Sequence, residues 1–360
     1  MISNSKYLSE NIRDMSQDYL VSVVVLNYNA GELLLNCIKS IKKSTYKNLE
    51  IIVVDNISND NSHEICKKEF PEIKLIQNKK NLGYCGGNNV GIKEAKGKFI
   101  VILNPDTIVE SNWIDELISA YDEFGEGLYQ PKILSLNEEN IIQSTGNMLH
   151  VFGFGFARDK GNKVTDKTEE IEKIGYASGT CLFTSREVIN KVGLLDEFLF
   201  LYHDDLDLGW RAAHIGINSY YVPKSKIYHV ESYSLKWSSK KFYWLERNRK
   251  YCLLTHYSKD TYEKMRFSLA LVDMFVWAFY ISKGFLGAKI KAELEIRKNK
   301  KIINKKYREL EDKKIITDQK LIKNFPDEIF VPINVSKESM NQSFNSILTK
   351  LSKKAKEKIT

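Results

Sequence analysis

Phe99–Thr107 reads FIVILNPDT. Phe99 to Leu103 is an unbroken apolar, β-branched run, too short for a helix and bounded by Gly97 and Pro105, so it reads as a strand buried on both faces. Asn104, Pro105 and Asp106 stand at its C-terminal end. Ligands of open α/β sheets bind just beyond the carboxyl ends of strands, so an Asp delivered there is placed to meet one. Taken alone, the same Asp also serves as an ordinary turn residue or as the cap of a helix starting near Ser111. The neighbouring segments decide between the two.

Upstream, Val21–Leu26 (VSVVVL) is a second short buried strand ending in Asn27-Tyr28-Asn29. Leu34, Leu35, Ile38 and Ile41 within residues 32–43 have helical spacing, and Leu49–Val54 is a strand ending in Asp55. A helix is expected from Ser58 to Phe70, opening in the polar cluster SNDNS, and a short strand over Ile73–Gln77. Gly83 to Gly91 reads as a glycine- and asparagine-rich turn, followed by helix over Val90–Ala95. Strands alternating with helices in units of about 30 residues make βαβ crossovers and a mostly parallel sheet. Right-handed connections then bring the ends after Leu26, Val54, Gln77 and Leu103 to one edge, where Asn27, Asp55, Asn81–Asn89 and Asp106 converge. That convergence lifts Asp106 above a turn residue.

Composition sets the outer bounds. The chain has 360 residues, 43% of them hydrophobic, enough for one large core with an appendage. Cys37, Cys66, Cys85, Cys181 and Cys252 are scattered and never form C-x-x-C, which argues against a disulfide framework or zinc module and for a reducing, cytoplasmic setting. The first twenty residues lack an apolar stretch and do not read as a signal peptide. Residues 288–314 hold eleven Lys or Arg against five Asp or Glu, most of the formal +8 charge, so the remainder is close to neutral and unlike a nucleic-acid-binding core.

The stretch from Val21 to about Ser234, and more weakly through Arg247-Asn248, resembles the family 2 glycosyltransferases of the GT-A fold, in their rhamnosyltransferase-like branch. Leu26-Asn27-Tyr28, then Ile52–Asn56 with Ser58 and Asp60, look like the family's nucleotide-binding start. Asn81-x-Gly83 with Gly86-Gly87-Asn88-Asn89-x-Gly91 looks like its sugar-nucleotide loop, and Asn104-Pro105-Asp106 stands where the family has the metal-binding D-x-D. The first Asp of that motif is Asn here, which leaves Asp106 as the expected ligand of Mg²⁺ or Mn²⁺. A hard cation neutralises a diphosphate leaving group with only one or two protein carboxylates, so the loss is tolerable. The glycines allow close approach of backbone N–H groups to sugar or phosphate.

A second half of the site is expected between Tyr176 and Ser232. Gly175–Thr184 reads as a loop entering a strand, Arg186–Val192 as a helix, and Phe198–Trp210 (FLFLYHDDLDLGW) as an aromatic wall running into acids that open a helix to Gly216. Carboxylates suit a helix N-terminus, and Asp207 with Arg211 is an i,i+4 pair, a structural role. Adjacent Asp204 and Asp205 repel, and one of them can act as a general base. The resemblance assigns that base to Asp205, with Asp204 orienting its surroundings, and makes His229 a second metal ligand. Ser219–Val222 is expected as a strand ended by Pro223. Gly146–Lys160 alternates glycine with aromatics and suits either a mobile flap or a surface loop. Trp210 and Trp237 are candidate sugar platforms or core residues.

The expected architecture is α/β, a GT-A, Rossmann-like and mostly parallel sheet with helices on both faces, plus a C-terminal helical region. Its boundaries are an N-terminal extension at 1–19, a catalytic domain at 20–235, a helical basic region at 236–317 and a polar, loosely packed tail at 318–360. Phe267–Ile281 is strongly apolar but short of the ~20 residues a spanning helix needs, which fits a packed helix or an interfacial anchor. The expected partners are a nucleoside diphosphate sugar donor, such as dTDP-rhamnose or a UDP-sugar, and a glycan or polyprenyl-linked acceptor. The setting is cytoplasmic, with plain helix packing and peripheral contact with the inner face of the plasma membrane as the two alternatives for the apolar helix and its basic sequel, and nucleic acid is not an expected partner. A sugar nucleotidyltransferase is the first alternative, against which stands NYNAGELL after the first strand in place of a glycine-rich, basic signature. A non-catalytic glycan- or membrane-binding module is the second.

Overall fold

In the computed structural model, residues 18–165, 169–230, 238–329 and 338–359 are described. Four strands start the fold: β1 (Val21–Asn27), β2 (Leu49–Asp55), β3 (Lys74–Gln77) and β4 (Phe99–Leu103). They pair in parallel in the order β3-β2-β1-β4. Every residue of β1 and β4 is buried, as a strand sandwiched between helical layers requires. Successive side chains of β1 feed opposite cores, Val21, Val23 and Val25 on one face and Val24 and Leu26 on the other.

Helices α1 (Glu32–Lys42) and α2 (Ser62–Glu69) cover one face, and α3 (Gly83–Glu94) covers the other. The glycine-rich segment expected as a turn through Gly91 is therefore helix from Gly83 onward. The glycines are there for packing: a Cβ on Gly87 would collide with Leu26, and one on Gly91 with Val24. Helix propensity loses to this close approach, which outweighs the ~1 kcal/mol cost of a mid-helix glycine. The second helix also starts later than Ser58, because Asn61 takes a left-handed conformation and the SNDNS stretch forms a hydrogen-bonded loop instead.

Beyond β4 the sheet is mixed. The chain continues through β5 (Thr107–Val109), α4 (Trp113–Phe124), β6 (Gly127–Ser135), β7 (Ile142–Ser144), the hairpin β8 (Asn147–Leu149) and β9 (Gly155–Ala157), and β10 (Glu172–Ile174). Then follow β11 (Cys181–Ser185), α5 (Arg186–Val192), α6 (Asp204–His214) and β12 (Asn218–His229). β11 lies antiparallel between β4 and β6, and β12 runs parallel to β6. Pro223 does not end that strand. The proline sits in a bulge where the register slips between Val222 and Lys226, and pairing resumes through His229.

The 146–160 segment is anchored rather than mobile: Val151 and Phe152 at the hairpin tip are fully buried, and Arg249 donates to the Phe152 carbonyl at 3.1 Å. The rest of the chain is helical, with α7 (Ser239–His256), α8 (Lys259–Ser282), α9 (Leu286–Lys298), α10 (Lys300–Glu311), α11 (Asp318–Ile322) and α12 (Glu338–Ile359). The residues expected as a loose tail include α12, which packs on α8 through Leu348, Ala355 and Ile359. Its apolar positions Leu348, Leu351, Ala355 and Ile359 recur at helical spacing, but the lysine-rich sequence between them reads as polar.

Candidate active site

Pairing of β5 with β12 sets Thr107 opposite His229. The residue before Thr107 is thereby brought to the histidine: His229 Nε2 lies 3.4 Å from Asp106 Oδ2, and Val230 N donates to the Asp106 carbonyl at 3.0 Å. Gln143 on β7 holds the ring from the other side. Its Nε2 donates to the His229 carbonyl at 2.9 Å, and its Oε1 stands 2.7 Å from His229 Nδ1. An amide oxygen only accepts, so Nδ1 donates to Gln143 and Nε2 is the ring nitrogen that stands beside Asp106. An imidazole nitrogen and a carboxylate oxygen this close fit two ligands of one hard cation. Nothing in the sequence singles out Gln143, because it belongs to no motif.

The acids Asp204 and Asp205 open α6. The loop before them carries three successive departures from ordinary backbone geometry: Phe200, Tyr202 and His203 have φ of 63°, 68° and 61°. Each such L-residue costs about 1–2 kcal/mol and persists only where its surroundings hold it. Asn248 on α7 supplies the hold, donating through Nδ2 to the carbonyls of Leu199 (3.0 Å), Leu201 (2.8 Å) and Tyr202 (2.7 Å). Arg247 adds bonds to Phe198 and Leu199. The same loop touches the glycine segment, since Tyr84 N donates to the Phe200 carbonyl at 2.6 Å. Gly83, at φ +70°, must be glycine here because a Cβ would strike that carbonyl.

The two acids differ. Asp204 is buried, whereas Asp205 faces a cleft of about 340 Å³ that His229, Gln143, Ser178, Thr180 and Tyr202 also line. Gly179 N donates to Asp205 Oδ2 at 3.0 Å and Leu206 N to Oδ1 at 2.8 Å. Burial pushes the Asp205 carboxyl above its ordinary value, and these two N–H groups oppose the rise. Asp204 is raised well above its ordinary value, by burial first and then by the charge of Asp205. Asp106 does not line this cleft itself; its carboxylate lies 3.4 Å from the ring of His229, which does. The end of β4 is also tied to the loop that holds Asp205, because Asn104 N donates to the Thr180 carbonyl at 3.0 Å.

Asn27 and Asp55 meet as expected, but their polar groups are turned inward. Asn27 Nδ2 donates to Asp55 Oδ1 at 2.9 Å and to Ser62 Oγ at 2.8 Å, and Ser58 N donates to Asp55 Oδ2 at 3.1 Å. This network shapes the wall at the ends of β1 and β2. Leu26 packs under α3 rather than facing the edge. Asn81 Oδ1 accepts from Asn56 Nδ2 (2.9 Å) and Gly83 N (2.8 Å), which fixes the turn into α3. Tyr28 is 46% exposed beside this wall, and Asn88 is fully buried with its Oδ1 unpartnered.

Other candidates resolve into structure. Asp207 is fully buried between Arg211 Nε and His256 Nε2, both at 2.8 Å. Burial works against its charge, but Arg211 and His256 outweigh that and hold its carboxyl below the ordinary range. Trp210 is 1% exposed and stacks on His256, so it is a core residue. Glu246, Asp273 and Glu293 surround the buried Lys289 ammonium at 2.5–2.9 Å, which fills the place a cation would take. Trp237 and the stretch Glu231–Trp237 fall outside the described residues. All five cysteines are buried and unpaired.

A parallel β3-β2-β1-β4 half with its polar carboxyl edge, joined to a mixed half that returns two acids and a histidine to that edge, defines a GT-A glycosyltransferase fold. Residues 22–193, a little under half of the chain, match the description "Glycosyl transferase family 2". It is 26% identical over 205 residues to the low-salt glycan biosynthesis hexosyltransferase Agl10 of Haloferax volcanii, covering 55% of this chain and 63% of that protein. It is 25% identical over 237 residues to the N-acetylglucosaminyl-diphospho-decaprenol L-rhamnosyltransferase of Mycobacterium tuberculosis, covering 60% of this chain and 77% of that protein. This chain thus spans less than two thirds of the length of the Haloferax relative. The crystal structure of GalNAc-T7 with UDP, GalNAc and Mn²⁺ superposes with a TM-score of 0.56 at 20% identity, covering 70% of this chain and 51% of that one, a likeness of fold.

Proposed function

We propose that this chain is an inverting glycosyltransferase that moves a sugar from a nucleoside diphosphate sugar to a hydroxyl of a glycan or polyprenyl-linked acceptor. The observation that carries the reading is the shared cleft of Asp205 and His229, with Asp106 3.4 Å behind the histidine. Asp205 takes the proton of the acceptor hydroxyl as its oxygen attacks the anomeric carbon. The bond from that carbon to the diphosphate oxygen breaks, and the nucleoside diphosphate leaves with the electron pair. Asp204, behind Asp205, raises the basicity of the pair. Asp106 and His229 are the residues that would hold Mg²⁺ or Mn²⁺, which when bound supplies charge to stabilise the departing diphosphate.

The wall of Asn27, Tyr28, Asp55, Asn81 and Gly83 takes the nucleotide. The Mycobacterium relative is named for moving L-rhamnose to N-acetylglucosaminyl-diphospho-decaprenol, which supports a deoxyhexose donor and a polyprenyl-diphosphate-linked acceptor for this chain, and such an acceptor would put the reaction at a membrane surface. A panel of nucleotide sugars tested by thermal shift with and without Mn²⁺ checks the donor class. A saturating donor stabilises by about 3 kcal/mol at a hundred times its Kd, a rise of several degrees that depends on the cation. No rise with any nucleoside diphosphate or its sugars would refute the reading.

Gln143→Leu leaves His229 free to turn and to take the other tautomer. Mn²⁺ binding, read by the free-ion electron paramagnetic resonance signal, is expected to weaken about 10–100-fold, the usual loss when a ligand histidine loses its outer partner.

A further inference from the structure

α8 is long and apolar enough to cross a membrane by length and composition, yet one face of it is bound into the protein. Met265, Leu269, Val272, Val276 and Tyr280 are buried, and Asp273 pairs with Lys289 at 2.7 Å and Lys250 at 3.3 Å. The opposite face carries Phe267, Met274 and Ile281, exposed to 58%, 56% and 58%. Spaced seven residues apart, they form one stripe about 21 Å long, with Ala270 and Ala278 exposed beside it. Single exposed apolar residues are ordinary, but an unbroken stripe of large ones marks a contact surface.

Its border is largely basic, with the exposed Asp260 and Glu263 at the N-terminal end of α8 paired to Lys264 and Arg266. On α12, Lys354 Nζ stands 5.9 Å from the Phe267 ring, and Lys350, Lys353 and Lys358 are exposed on the same helix. Lys283 is exposed just past Ile281. An apolar stripe fringed by flexible lysines matches the layering of an anionic bilayer, acyl chains beneath a negative headgroup surface.

We propose that the outer face of α8, with the lysine fringe of α12, docks side-on against an anionic lipid bilayer. The proposal names the surface that brings the cleft to a lipid-linked acceptor and rests on that reading of the acceptor, although its test needs no acceptor. Flotation with vesicles of phosphatidylcholine alone, and of phosphatidylcholine mixed with phosphatidylglycerol, separates the outcomes. The full chain is expected to float with the mixed vesicles, to stay behind with phosphatidylcholine alone, and to be released by high salt. The double variants Phe267→Glu/Met274→Glu and Lys350→Glu/Lys354→Glu are each expected to lose about tenfold or more of the floating fraction. Both keep the wild-type circular dichroism and the donor-dependent thermal shift, because neither touches the cleft.

Failure of the wild type to float, equal flotation on both vesicles, or wild-type flotation of both variants overturns the proposal. So does resistance to carbonate extraction, which would mean a spanning helix. A drop in solution mass of Phe267→Glu/Met274→Glu without lipid would assign the face to a second copy of the chain instead. Loss of the donor-dependent shift in the wild type strikes the glycosyltransferase reading and leaves the lipid result standing on its own.

Discussion

Asp205→Asn is expected to lower the rate of sugar transfer by about 10³-fold, within the range that removal of a positioned general base produces. Donor binding is expected to stay within a few-fold of wild type. Asn keeps one oxygen, so it accepts from only one of Gly179 N and Leu206 N, which bond Oδ2 and Oδ1 of the carboxylate, and its amide NH2 faces the other. The direction of the carboxyl's shift adds two checks. A base must be ionised, so the wild-type rate falls as the pH drops through a value above the ~3.9 of a free Asp, and the variant lacks this limb. A carboxyl raised in the fold binds its proton more tightly there than in the unfolded chain, so its contribution to stability is lost as pH rises through the raised value. In the variant the relief from this loss is offset by the lost N–H bond of about 1 kcal/mol, so its melting temperature near neutral pH is expected to stay within a few degrees of wild type. A much larger fall together with lost transfer would make Asp205 a structural residue.

Asp106→Ala acts at the other end of the reaction. It removes one of the two groups proposed to hold the cation and leaves His229 with only its Gln143 partner. Charge stabilisation of a leaving diphosphate amounts to several kcal/mol, so a loss of about 10³-fold in transfer is expected. Unlike Asp205→Asn, this change should abolish the Mn²⁺-dependent part of nucleoside diphosphate binding. Chelation of the wild type with EDTA should reproduce the loss, and adding Mn²⁺ back should restore the wild type but not the variant.

The sheet was legible because its strands are short, apolar runs ending in polar residues, a pattern that survives without knowledge of the partners. Asp106, Asp205 and His229 were legible for a different reason, the resemblance of their flanking residues to a family. What escaped was whatever depends on tertiary approach. Gly83–Gly91 looks like a turn to any propensity argument, and only the nearness of Val24 and Leu26 turns its glycines into helix–sheet contacts. Pro223 ends a strand by local rules, but a bulge lets β12 run on to His229, without which the histidine would not reach Asp106. Gln143 and the triple hold of Asn248 on the 199–202 carbonyls are long-range bonds from single residues, and no spacing along the chain announces them.

Calorimetric titration of UDP and dTDP, each with and without Mn²⁺, into wild type, Asp205→Asn and Asp106→Ala bears most directly on the division of labour within the cleft. The expected result is Mn²⁺-enhanced binding of one nucleotide that Asp205→Asn keeps and Asp106→Ala loses. Equal loss in both variants, or in neither, would mean that these two acids do not split cation-holding and proton removal between them.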